Sequence, residues 1–232
     1  LLAESRNFES IAFGTILESA YGTSGKNFRD YLESSHFRLW NQLFESVGIG
    51  YSLPVSGVSE VGSSILCRKI AIGDIHQSCI RGKWKSPCDN CWKCFRKNTL
   101  MAALESRDFP KKSMEMIFKS KEVRKRLLED SPIKHEGVLT YSLERVKGGG
   151  EPIEKLRNLT RVGKIRTDWM ERWYPDSKFF IDKSYREYTA SKLIKLLGEM
   201  SASQISCLQS WENTDNKERS LRLSRFRDSI DG

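Results

Sequence analysis

No apolar run in this 232-residue sequence approaches the about 20 residues that a membrane-spanning helix requires. Its first residues lack the basic-then-apolar order of a secretory signal peptide. There are no internal repeats and no low-complexity tracts. These absences exclude a membrane-embedded helical protein, a solenoid and a wholly disordered chain, and they lead to the expectation of a soluble protein with no membrane partner. With 38% hydrophobic and 30% charged residues, the chain can build a core and still carry large solvated helical faces. Cysteine is sparse, at six residues, and four of the six fall between Ser78 and Lys97. Clustered thiols fit a reducing compartment, so the expected location is the cytoplasm.

Those four residues, Cys79, Cys88, Cys91 and Cys94, follow the pattern C-x8-C-x2-C-x2-C. Three cysteines at three-residue spacing cannot all form disulfides with one remaining partner. As thiolates they can converge on one tetrahedral ion, with Cys79 arriving from across the loop. Pro87 sets the turn into the cluster, and Cys94 is expected to open the following helix, where free amides help hold a thiolate. The competing reading is four buried reduced cysteines that merely cluster, but x2 spacing twice in series is a metal signature. Four thiolates leave no open coordination position, so the implied zinc is structural. Cys67 and Cys207 carry no metal role and read as ordinary packing residues.

The same residues resemble the zinc-binding end of the 7-cyano-7-deazaguanine synthases. The shared features are SC-x8-C-x2-C-x2-C, the proline before the second cysteine and a basic residue after the last. The resemblance runs upstream through SLPVSGVSE and the loop-and-helix segment after Tyr21 to IAFGT, covering roughly Ser10 to Ala103. It implies a parallel-sheet α/β nucleotide-binding domain of the adenine nucleotide α-hydrolase type. It further implies a ligase-like enzyme that uses ATP, with Mg, to adenylate a 7-deazaguanine carboxylate for attack by a nitrogen nucleophile. The family's phosphate loop, SGG-x-D-S, is absent: neither GTSGK at 22–26 nor VSGVSE at 55–60 follows it. Glu60 stands where relatives carry lysine, and Lys97, beside Arg96, where they carry arginine. A second reading is a relative in a bacterial antiviral defence system that passes the deazaguanine group to a protein or nucleic-acid partner. A third is a zinc-stabilised binding module without catalysis. No residue is assigned as catalytic.

The start of the chain, LLAESRNFESIAFGT, reads as a helix tail and a buried strand, so an element of the fold is expected ahead of Leu1. A phosphate loop there would weigh against the binding-module reading. Gly14 and Thr15 end the strand, where an open α/β sheet places its ligands, and are the candidate ATP-binding residues. Apolar residues from Phe28 to Val47 recur at helical spacing, Ile49–Val55 reads as a strand, and Ser59 suits the N-cap of a helix through Ile70. Strand, helix, strand, helix with short connections favours a parallel sheet.

Further helices are expected at Phe95–Glu105 and Ser113–Glu129. The glycine run in Lys147–Pro152 reads as a linker. The expected partition is thus an α/β domain with the zinc site over 1–147, a linker over 148–152 and a helical extension over 153–232. Within the extension, Thr167-Asp168 is placed as the cap of a helix bearing Trp169 and Trp173, and Tyr185–Met200 has helical spacing. The tail from Lys217 reads as mobile or as a docking helix. The net charge of +9 is uneven. Residues 81–130 hold 14 basic and 7 acidic side chains, against 6 and 8 in residues 1–80. That excess could attract a phosphate-bearing ligand or nucleic acid, or could simply be solvated. The expected partners are a 7-deazaguanine-type small molecule and, through the extension, a protein.

Overall fold

The computed structural model describes residues 8–72, 77–212 and 216–230. In chain order, β1 (Ser10–Ala12), α1 (Leu17–Ala20), α2 (Ser35–Glu45), β2 (Gly50–Ser52) and α3 (Glu60–Lys69) come first. Five helices follow: α4 (Trp92–Leu104), α5 (Lys111–Lys119), α6 (Lys121–Leu128), α7 (Glu136–Arg145) and α8 (Gly150–Leu159). Two 3₁₀ turns, Asp168–Glu171 and Pro175–Phe180, lead to α9 (Arg186–Leu197), α10 (Ala202–Gln209) and α11 (Asn216–Ile230).

This architecture corrects the expected α/β nucleotide-binding domain. Among the described residues the sheet has two strands, β1 and β2, parallel and paired Ser10–Gly50, Ile11–Tyr51 and Ala12–Ser52. The strand-helix-strand order was read from IAFGT and Ile49–Val55, and that one crossover is present. The other apolar runs carry helical periodicity and form helices, as at Val138–Leu143 in α7 and Leu193–Leu197 in α9, so they add no strands. The IAFGT strand is also not buried: Ile11, Ala12 and Phe13 are exposed, with Phe13 resting on Phe44 and Tyr51 at its edge.

The chain forms two compact units, each from two pieces: Leu1–Leu66 with Asp168–Glu212, and Cys67–Thr167 with Asn213–Gly232. In the first unit the core is aromatic. Trp169 and Trp173 are fully buried; Trp169 meets Trp211 edge-on at 5.8 Å, and Phe37 meets Phe180 edge-on at 4.8 Å. Val58, Ala190, Leu193 and Leu197 fill in around Trp173. Asp168–Glu171, expected to open a helix, is a single 3₁₀ turn. Pro175 opens a second such turn rather than ending a helix, consistent with its preset φ. Ser34 caps α2 by accepting the Phe37 N–H at 3.1 Å, so residues 28–34 lie outside the helix expected from Phe28.

In the second unit α4 packs along α7, and α11 lies against α8. The expected helix over Ser113–Glu129 is two helices. Ser120 adopts an extended backbone between them and caps α6 through the Val123 N–H at 3.3 Å. The glycine run is a tight turn between α7 and α8, inside this unit. Gly149 has φ 97°, and a Cβ there would come within 2.1 Å of Ile153 Cγ1. Pro152 lies in the first turn of α8, where a missing N–H costs nothing. Residues 153–212 and 216–230 are largely helical, but they divide between the two units instead of forming one extension.

The basic tail is α11, a docked helix. Its Phe226 is buried, Arg219 donates to the Leu127 carbonyl at 2.5 Å, and Arg222 donates to that of Leu159 at 3.0 Å. Buried Glu136 lies 3.5 Å from both Arg161 and Arg222, so two guanidinium groups balance one desolvated carboxylate.

Removing the Trp169 side chain leaves a large void beneath Trp211. Trp169→Ala is expected to destabilise the first unit by about 3–5 kcal/mol in urea titration. It should leave the metal content of the protein unchanged, because the cysteine cluster belongs to the other unit.

Candidate metal centre

The four sulfurs of Cys79, Cys88, Cys91 and Cys94 all lie within 4.8 Å of one another. Cys79 and Cys88 are 3.5 Å apart, Cys91 and Cys94 3.5 Å, and Cys88 and Cys94 3.8 Å. Sulfurs each about 2.3 Å from a tetrahedral ion lie about 3.8 Å from one another. No disulfide joins any of them, and Cys67 and Cys207 lie outside the group. The donor set and its spacing therefore fit one metal ion held by four thiolates.

Local backbone structure delivers each sulfur. Between Cys79 and Cys88 the chain makes a turn closed by the Ser86 N–H donating to the Lys83 carbonyl at 2.9 Å. The Gln77 amide braces it from below, donating to the Cys79 and Lys83 carbonyls at 2.9 and 3.0 Å. Gly82 is required by close approach: a Cβ there would sit 2.2 Å from the Ser86 oxygen and 2.7 Å from the Cys88 nitrogen. Cys91, not Cys94, opens α4. It has extended backbone at the N-cap, and its sulfur accepts the Cys94 N–H at 3.5 Å. Cys94 lies within the first helical turn, so one free amide of α4 reaches a sulfur, as expected of a helix start, one residue triplet earlier than placed from sequence. The Cys88 N–H likewise reaches Cys79 sulfur at 3.4 Å.

These contacts divide the thiols electrically. The Cys88 N–H is the main cause that pulls Cys79 down to about 6. Burial pushes Cys88 and Cys94 up, reinforced at Cys94 by the Cys91 sulfur. A dication among the sulfurs reverses that upward push, because each coordinated thiol gives up its proton.

The cluster sits at the edge of the core of its unit. Cys79, Cys91 and Cys94 are buried with Trp92 and Phe95 against Val123, Leu127, Ile133 and Leu139. Trp92 stacks on Phe95 at 5.4 Å, and its indole N–H reaches the Lys134 carbonyl at 3.2 Å. Ser120, which separates α5 from α6, donates its hydroxyl to the Asn90 carbonyl at 2.7 Å, so the helix break also supports the cysteine loop. Neither Ser120 nor Gln77 stood out in the sequence. Their roles arise from long-range and turn contacts that leave no periodic signal.

Gly14 and Thr15 belong to the other unit. They follow β1 as expected, Gly14 is exposed, and nothing lies within 4 Å of where its Cβ would be. VSGVSE leads directly into α3, whose N-cap is Ser59; its hydroxyl accepts the Gly62 N–H at 2.9 Å. The Glu60 N–H is taken by the two carboxylate oxygens of buried Glu18 at 2.9 and 3.0 Å. The helix start that a phosphate would use is thus filled by a carboxylate of this chain.

No described helix is long and apolar enough to cross a membrane. Neither a curated protein nor a solved structure matches the sequence. A family of unknown function, DUF6395, matches residues 39–212, which include the whole cysteine cluster and most of the chain. The chain belongs to that family.

Proposed function

We propose that the four cysteines hold one structural zinc ion. We further propose that the chain serves an ATP-dependent carbon-nitrogen ligation in which a 7-deazaguanine-type carboxylate is adenylated and then attacked by a nitrogen nucleophile. The observation that carries the reading is the closing of C-x8-C-x2-C-x2-C into a single four-sulfur group. That group is the feature by which the chain resembles the 7-cyano-7-deazaguanine synthases. Zinc is favoured because four soft thiolates in a tetrahedral arrangement suit it and leave it no open position. The ion is then a staple, and the chemistry lies elsewhere. In the reaction, a carboxylate oxygen bonds to the α-phosphorus of ATP and pyrophosphate leaves; the nitrogen then bonds to the acyl carbon and AMP leaves.

A second reading, a zinc-stabilised binding module, is favoured by one observation: Glu18 occupies the α3 amide that an anion would use. The two separate on carboxylate-dependent pyrophosphate release from ATP. Release with 7-carboxy-7-deazaguanine supports the ligase reading. A zinc-loaded, folded protein that releases none and binds no ATP in calorimetry supports the binding module. Where ATP binds, Gly14→Val is expected to weaken binding with no loss of thermal stability, since the new side chain has open space around it.

Purified protein should carry one zinc per chain by elemental analysis. Cys91→Ser removes a ligand while leaving a hydroxyl that can still cap α4, and is expected to yield metal-depleted, poorly soluble protein. Cys67→Ser and Cys207→Ser should each retain the ion. Well-folded protein without metal would contradict the assignment.

A further inference from the structure

The turn between Cys79 and Cys88 does more than deliver two sulfurs. Trp84 and Lys85 are its two central residues, held between the Lys83 carbonyl and the Ser86 N–H, with Lys85 at φ 60°. Trp84 is 61% exposed and Ile80 is 92% exposed. Neither ring of the Trp84 indole meets another aromatic among the described residues. A tryptophan on a mobile loop would fold back onto apolar surface. Here the closed turn, the Gln77 brace and the narrow passage at Gly82 keep it pointing outward.

Its surroundings are cationic. Lys83 and Lys85 flank it, and neither pairs with a carboxylate among the described residues. At the foot of the turn a cavity of about 210 Å³ is lined by Arg81, Lys93, Arg126, Lys134 and His135. A second, of about 590 Å³, brings in Lys119 and Lys121. The carboxylates that face this surface are already engaged: Glu122 by Arg81, Asp89 by Lys112 and Asp130 by Arg126. The other basic cleft of this unit, between α8 and α11, presents no exposed aromatic ring, and its Lys155, Arg157, Lys164 and Arg222 each have a glutamate partner, as Arg81 and Arg126 have a carboxylate partner here. Lys83 and Lys85 are what set the turn apart.

We propose that this turn is a docking site for single-stranded nucleic acid, with a base stacked on Trp84 and neighbouring phosphates on Lys83 and Lys85. An aromatic face beside a basic track is what an unpaired strand requires, since every base offers a π-face and every linkage a negative charge. A paired duplex keeps its bases stacked and does not offer one to a side chain. A lipid surface would accept the tryptophan and lysines as well. It would call for a contiguous apolar patch to insert, whereas the two exposed apolar residues, Ile80 and Trp84, are separated by Arg81 and Lys83.

The test is fluorescence anisotropy of a labelled oligouridylate of about 16 nucleotides titrated with the zinc-loaded full chain over a series of salt concentrations. Wild-type protein should bind at low salt. Trp84→Ala should weaken binding by about tenfold or more, whereas Trp84→Phe, which keeps a stacking face, should retain most of it. Changing Lys83 and Lys85 together to alanine should lower the slope of log K against log salt by about 1.4. Absence of binding at low salt, or Trp84→Ala binding as wild type, would overturn the proposal. Trp84-dependent pelleting with phosphatidylserine vesicles, with no oligonucleotide binding, would overturn it in favour of a membrane partner. The variants lie on an exposed turn, and unchanged zinc content in each confirms that the site below is intact.

Discussion

Four sulfur atoms within 4.8 Å of one another make a demand that the surrounding backbone can meet in few ways. Cys79 comes from a loop whose residues 80–87 have almost no buried side chain, so apolar packing does not hold that loop in place. Cys91 and Cys94 come from the start of α4, which is packed into the core of its unit. Without a cation, gathering ionised thiols is opposed by their mutual repulsion, and burial raises Cys88 and Cys94 accordingly. With one, the loop is tied to the core. Structural zinc in small domains contributes about 10–16 kcal/mol of apparent binding free energy, comparable with the whole stability of a typical domain at about 5–15 kcal/mol. On that scale a bound ion outweighs any hydrogen bond in the loop, including the Gln77 brace.

The same closure limits what the centre can do. Four protein ligands leave no place for a substrate, so the contribution of the proposed ion is geometric. It holds the Lys83–Ser86 turn at a set position and projects Trp84 from it. In the first unit, the α3 amide that an anion could use is taken by the carboxylate of Glu18. Gly14 and Thr15 stay open at the end of β1, with room beside the backbone but no charged side chain fixed there by any contact described above.

The four-cysteine group was legible in the sequence because such a group is largely local: x2 spacing brings neighbouring sulfurs together whatever the rest of the fold does. Ser59 was legible for the same reason, since an N-cap acts within three residues. The sheet was not. A three-residue apolar run such as Ile11–Phe13 looks the same in a buried sheet and at an exposed edge, and only tertiary neighbours decide. The break at Ser120 was hidden because the apolar stripe of Met114, Ile117, Val123 and Leu127 continues across it, while the break itself is stabilised by Asn90, far away in sequence. The glycine run misled in another way. Three glycines describe a flexible joint as well as they describe a turn with three positive φ values, and the close approach of Ile153 selects the turn. The division into two discontinuous units has no local signature, because Trp173 meets Val58, and Trp211 meets Phe28, only after folding.

X-ray absorption at the zinc edge of the purified full chain tests the central claim most directly. A tetrathiolate predicts a first shell of four sulfurs at about 2.3 Å with no lighter ligand. A shell containing nitrogen or oxygen at about 2.0–2.1 Å, or an absence of zinc from folded protein, would contradict it.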